Sequence, residues 1–446
     1  MSQSFLIRGG CVLSLDPKVG NHPRADVLIE NGRVREVGEG LRSREAELVE
    51  AADTIVMPGF VDTHRHAWMS LFRNLGAPQS DGLDSSDAGL AHPFEPDDIY
   101  AATLIGLLGA LEAGITTVVD WSDIAAGDEY ADAASQAHAD SGVRTVFVHA
   151  ARANAAHQER GDREASLRRL MTAGPSVSPR TTLAFGSADL VRGNMDRIEG
   201  EFALGRSLGL HIHAHAGLRA ADQGLLAELA GKKLLGDDVT LVHCSRVSEE
   251  DLDGAAAAGA SISLNPSTEM AGDLGSPPIQ EILNRKIRIG LGVDDERLAP
   301  GDIFAQMRAA ISVQHATYFD LKLAGKAGLP NLLTTRELIR YATVDGAHVA
   351  GVGDTAGTLT PGKQADVIIL RTDRPNIFPV NDPIGAVVWG MDTSNIDWVF
   401  VGGRALMRNG VLEPDVVRAR ELAAIAQKRV MASADPLVAK GGEEQP

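Results

Sequence analysis

Cysteine is nearly absent: Cys11 and Cys244 stand far apart in 446 residues, with no C-x-x-C pair. That excludes a disulfide framework and a cysteine-built zinc site, and it points to a reducing cytoplasm. Long apolar runs are missing too. None approaches the roughly 18 residues of a membrane span. The start, Met1-Ser2-Gln3-Ser4-Phe5, has no basic stretch leading into an apolar core, so a soluble, unprocessed chain is expected. Positive charge is the minority sign, 42 Lys and Arg against 60 Asp and Glu, for a formal net charge of -18. Such a chain repels phosphate backbones and anionic lipid, so neither nucleic acid nor membrane is expected as a partner, and a small-molecule substrate is the partner the site residues below lead one to expect. Self-association into a homo-oligomer stays open. The His/Cys/Cys nucleobase deaminases need P-C-x-x-C beside their H-x-E, and Cys244 has no such partner, so that class is excluded. Gly357 to Lys363 matches G-x-x-x-x-G-K, but Gln364 replaces the Ser/Thr of a phosphate loop and a strand pattern follows.

What the chain does have is alternation. Residues 4 to 50 read as short strands, with Asn31-Gly32 between alternating runs as the strongest hairpin signal. From residue 55 to about 350, eight apolar runs of strand length alternate with Ala/Leu-rich helical segments. They are Ile55 to Val61, Ile115 to Trp121, Arg144 to His149, Thr182 to Phe185, Leu208 to Ala214, Val239 to His243, Ser261 to Leu264 and Ile287 to Val293. Eight strand–helix units predict an α/β fold, a (β/α)8 TIM barrel with its chemistry at the C-terminal ends of the strands. After residue 351 the strand-and-turn texture returns. The expected division is residues 1–56 and 351–414 as the two parts of a small β-sandwich, residues 57–350 as the barrel, and residues 415–446 as a helix and tail. The tail, Lys440 to Pro446, is expected to be disordered.

The organising stretch is Met57-Pro58-Gly59-Phe60-Val61-Asp62-Thr63-His64-Arg65-His66. On a strand, residues i and i+2 face one side, so His64 and His66 can share a cation. Three further strand ends carry candidates. At the fifth, the stretch Leu210 to Gly217 places His211, His213 and His215 on one face, with His215 nearest the C-terminal end. The sixth ends at His243, and Asp294 directly follows the eighth. Four imidazoles and one carboxylate at a barrel mouth suit zinc, or iron(II) or manganese(II), with a position left open for water. Each residue also has a plainer explanation. His211 and His213 could be satisfied core histidines, and Asp294 could cap the next helix.

These residues, together with Val242-His243-Cys244, Leu291-Gly292-Val293-Asp294 and the closing Gly357-Thr358-Leu359-Thr360-Pro361-Gly362-Lys363-Gln364-Ala365-Asp366-Val367, resemble the amidohydrolase superfamily in its cytosine deaminase-like and triazine hydrolase-like branch. The resemblance spans nearly the whole chain. It implies that His64, His66, His215 and Asp294 hold one divalent metal ion, and that His243 touches substrate or the attacking water. The strand-four run Thr181-Thr182-Leu183-Ala184-Phe185-Gly186 has no lysine to bridge a second ion, so a mononuclear centre is implied. One departure stands out. Deaminases of this branch carry a proton-shuttling glutamate three residues after the strand-five histidine, where this chain has Leu218.

The expected activity is metal-assisted hydrolysis of a C–N or similar bond at an sp2 carbon of a cyclic or heteroaromatic molecule, with Asp294 as base and His243 steadying the developing charge. A lyase or cyclase using the same site is the alternative, favoured by the missing glutamate. Glu269 is the sequence candidate for its substitute, against a plainer role as a solvated loop carboxylate. Trp68, His92 and Trp121 follow the first two barrel strands and are expected to contact substrate. Tryptophans so placed stand out in a chain with 4% aromatics, though packing alone would also account for them.

Overall fold

A computed structural model describes residues 3–75, 94–124, 127–150, 160–272 and 274–433. His92 and the tail from Lys440 to Pro446 lie outside the described residues. The central sheet has eight parallel strands in sequence order: Phe60–Arg65, Ile115–Ser122, Arg144–Ala150, Thr181–Gly186, Ile212–Ala216, Val239–His243, Ser261–Leu264 and Ile289–Leu291. Between the first and last strands the barrel closes at the functional end. There Asp294 N donates to His64 O at 2.8 Å, and His66 N to Asp294 O at 3.1 Å. At the opposite end the short helix Val344–Val349 plugs the interior, where Ala347 packs with Val61, Val119, Val146 and Val148.

The termini build a separate nine-stranded sheet. Its halves join where Thr54–Pro58 pairs antiparallel with Val367–Arg371. The sheet curls on itself, so that Phe5 and Phe400 meet edge to face at 5.0 Å over a core that also holds Val27, Val34, Val56 and Val367. The Asn31-Gly32 hairpin forms as expected between Asn21–Glu30 and Arg33–Gly38, both turn residues taking positive φ. The run from Ile55 to Val61 is not one barrel strand. Residues Thr54–Pro58 belong to the terminal sheet, and the first barrel strand begins at Phe60. Gly59 makes the change of sheet possible, because a Cβ there would lie 2.1 Å from Thr116 Cγ2. The helix Val416–Ser433 returns to the barrel and packs Ala426 and Val430 against Phe72 and Ile99.

The two sheets are tied by a buried ion pair. Arg144, opening the third barrel strand, reaches Asp366 in a bidentate contact at 2.6 and 3.0 Å, and Asp366 also accepts from Gly402 N at 2.7 Å. Removing one partner of such a pair leaves an uncompensated buried charge. Asp366→Ala is therefore expected to lower unfolding stability by about 3–5 kcal/mol, measured by urea denaturation, with metal content of the folded protein unchanged. A loss under ~1 kcal/mol would show that water reaches Arg144 and that the pair behaves as a surface contact.

Candidate metal centre and active site

The strand ends converge as the pattern predicts, because inward-facing residues of a closed barrel share one axis at the C-terminal mouth. His64 Nε2 lies 3.2 Å from His215 Nε2 and 3.3 Å from Asp294 Oδ1. His66 Nε2 lies 3.6 Å from Asp294 Oδ1, and His243 Nε2 lies 3.9 Å from Asp294 Oδ2. The donor atoms of His64, His66 and His215 fall within 4.8 Å of one another, as do those of His64, His243 and Asp294. Burial, followed by the neighbouring histidines, holds His64 well below the ordinary imidazole range. Burial also brings His243 down to about 4. Imidazoles kept neutral present lone pairs, and three nitrogens with one hard oxygen fit a divalent ion with a position left open. The residues present thus suit such an ion.

Three of the four rings are steered from behind, where ligand histidines ordinarily find a carboxylate. His215 Nδ1 meets Asp189 Oδ1 at 3.0 Å, His66 Nδ1 faces Asp123 Oδ1 at 3.5 Å, and His243 Nδ1 meets Glu269 Oε1 at 3.3 Å. His64 Nδ1 is buried with no hydrogen-bond partner among the described residues. Its place is set by the backbone closure described above and by its neighbour. Arg65 points the other way, fully buried, with Nε donating to Asp62 at 2.7 Å and Nη2 to Gly301 O at 2.8 Å. Asp62 in turn accepts from Val293 N at 3.0 Å, one residue before Asp294.

The backbone is strained where the site is made. His243, Cys244 and Asp294 hold φ of 72°, 60° and 65°, left-handed values at non-glycine residues. Such strain costs of order 1–3 kcal/mol per residue and persists where surrounding contacts over-determine it. Here those contacts include Cys244 N donating to Ala216 O at 2.9 Å.

The remaining sequence candidates separate. His211 Nε2 meets Thr240 Oγ1 at 2.9 Å, away from the cluster at the base of its strand. His213 is fully buried, and neither of its ring nitrogens finds a partner among the described residues. The capping alternative for Asp294 falls, because Asp302 caps the next helix by accepting from Ala305 N at 2.8 Å. The solvated-loop alternative for Glu269 falls as well. It is fully buried on the helix Pro266–Ala271, accepts from Asn265 N at 2.8 Å, and burial pushes its carboxyl well above the usual range. It meets His243 on the nitrogen opposite the one facing Asp294.

Trp121 stacks on His215 at 4.2 Å and forms a wall of the centre. Trp68 is buried against Phe72 and Phe94, and its indole N–H donates to Asp123 at 2.9 Å. Leu218 is half-buried beyond the fifth strand, after a turn at Gly217 (φ +63°) where a Cβ would lie 2.5 Å from Val247 Cγ1. Asp123, Asp189 and Asp62 are the residues that pattern reading missed. The first two carried a usable signal, since each is an acid within three residues of a barrel strand's end.

Comparison with known proteins agrees with this geometry. The chain is 26% identical over 432 residues to a 5'-deoxyadenosine deaminase of Methanothermobacter thermautotrophicus, covering 92% of this chain and 95% of the relative. The fold matches that of an adenosine deaminase from Xanthomonas campestris with bound zinc, at TM-score 0.81 and 20% identity over 96% of this chain and 99% of the other. It also matches a mutant atrazine chlorohydrolase from Arthrobacter aurescens complexed with zinc and atraton, at TM-score 0.80 and 22% identity over 96% and 100% of the two chains. Residues 55–406 match the amidohydrolase family, and the match takes in every strand of the barrel and every donor of the centre, so the chain belongs to that family.

Proposed function

We propose that this protein is a mononuclear, metal-dependent hydrolase that displaces an amine or similar leaving group from an sp2 carbon of a heteroaromatic ring. The observation that carries the proposal is the convergence of His64, His66, His215 and Asp294 at the barrel mouth with His243 beside them. The named activity of the sequence relative, a purine nucleoside deaminase, supports a ring of that class. In this reading the three histidines and Asp294 hold one ion, zinc by preference. When bound, such an ion makes a water acidic enough to lose its proton near neutral pH.

The chain's own residues do the rest. Asp294 accepts the proton of the attacking water through a carboxylate oxygen. His243 Nε2, on the same side as Asp294, is placed to hydrogen-bond the charge that builds on the ring as its carbon turns tetrahedral. Glu269 and Asn265 fix that imidazole from its other nitrogen, at 3.3 Å each. Trp121 fixes the face of His215 and excludes water from that side.

Leu218 supplies no acid to protonate the departing nitrogen, and general-acid help is worth roughly 10²–10⁴-fold. Electron-poor rings and readily departing groups should accordingly be turned over better than adenine-like or cytosine-like rings. Release of ammonia from amino-substituted heterocycles and of halide from halo-substituted ones tests the reaction class directly. Leu218→Glu is expected to raise activity on amino-substituted rings by about 10²-fold, the lower end of that general-acid range. Efficient wild-type deamination of adenosine or cytosine, unmoved by Leu218→Glu, would remove Leu218 as a determinant.

A further inference from the structure

We infer that Arg163 and Glu201, on two helices outside the barrel, are positioning residues that set the orientation of His215 by fixing the segment that carries Asp189. The inference rests on the proposed role of His215 as a metal ligand. After the fourth barrel strand, residues 187–190 have no regular secondary structure, yet they are pinned almost residue by residue. Ser187 N donates to His213 O at 2.8 Å and Leu190 N to His215 O at 2.9 Å. Glu201 Oε2 accepts from Ala188 N at 2.7 Å and from Ser187 Oγ at 3.0 Å. Between these anchors Asp189 turns its carboxylate to His215 Nδ1. The Asp189 side chain is 49% exposed, so packing does not hold it. Its direction comes from the backbone that Glu201 grips.

Glu201 is itself held by Arg163 Nη1 at 3.6 Å and by Arg197 Nε at 3.1 Å. Arg163 is 4% exposed. Its Nη2 donates to Gly186 O and, at 3.3 Å, to His149 O, and its guanidinium lies 4.1 Å from the centre of the Phe185 ring. A charge buried this far carries a large desolvation cost, and an apolar side chain of similar volume would fill the space more cheaply. An apolar side chain could not join the carbonyl ends of the third and fourth strands to the carboxylate that holds the next loop. This is the task Arg163 performs, and through Asp189 it ends at a ring nitrogen of the centre.

The rate at which the zinc-loaded protein releases its ion to excess chromogenic chelator tests the chain of contacts, with no dependence on turnover. Glu201→Ala and Asp189→Ala are each expected to speed release about tenfold, the low end of what outer-shell partners contribute. The double variant should release no faster than Asp189→Ala alone, because both act through one contact. Glu201→Gln, which can still accept from Ala188 N, should stay close to the wild-type rate. Release from Glu201→Ala at the wild-type rate, or multiplying effects in the double variant, overturns the inference. Should Glu201→Ala fail to fold, Ser187→Ala removes one anchor of the same loop. It should speed release in the wild-type background and add nothing beside Asp189→Ala, and no effect in the wild-type background, or a further increase beside Asp189→Ala, overturns the inference equally. His215→Ala is the separate control. Undiminished zinc binding there defeats the ligand assignment, whatever Glu201 does.

Discussion

His64→Ala combined with His66→Ala is expected to yield a folded protein with almost no bound divalent ion, against about one ion per chain in the wild type, and with turnover at background. Two of the four donors are lost together, and the remaining His215 and Asp294 cannot complete a tetrahedral set. Folding should survive because the strand that carries the two histidines is anchored by other groups. Arg65 pairs with Asp62 at 2.7 Å, and Asp62 reaches across to Val293 N at 3.0 Å. The backbone closure onto Asp294 uses main-chain atoms only. Metal analysis of the purified proteins reads the first effect. Thermal unfolding in the presence of chelator reads the second, since an ion bound to the native state alone would itself raise stability. Equal metal content in the double variant and the wild type would sink the assignment of the site.

Asp294→Asn should separate holding the ion from handling the proton. An amide oxygen can still face the ion, but asparagine cannot accept a proton from water, so turnover should fall by about 10²–10⁴-fold while ion affinity falls far less. The substitution is a clean one because the position has φ of 65°. Asparagine tolerates the left-handed region better than most residues, so the backbone that presents His64 and His66 to the site is preserved. Loss of kcat with metal content retained supports Asp294 as the base. Near-normal turnover would move that role to another group.

The cluster at the barrel mouth was legible in the sequence because it obeys local rules. His64 and His66 share a face through the two-residue repeat of a strand, and His215, His243 and Asp294 each close an apolar run of strand length. A barrel then brings strand ends together whatever lies between them. The choice of His215 over His213 needed only position along the strand, and the structure brings His215 within 3.2 Å of His64. The shell behind it was not legible in the same way. Asp123 and Asp189 are ordinary acids after a strand until the fold turns them toward particular ring nitrogens. Trp68 reads as a substrate contact from its place after the first strand, yet its indole N–H goes to Asp123.

By itself, then, the sequence determined the eight-strand alternation, the terminal sheet split between the two ends of the chain, the polar residues that meet at the barrel mouth and the leucine at position 218. Each is a matter of spacing along one strand or of residue identity at one position. Tertiary structure alone decided where the first barrel strand begins, because the change of sheet at Gly59 depends on how closely Thr116 approaches it. It also decided that Glu269 is buried behind His243, that Asp302 and not Asp294 caps the following helix, and that Glu201, paired with Arg163, holds the segment that carries Asp189. These depend on side chains from distant segments meeting at hydrogen-bond distance, which no periodicity records.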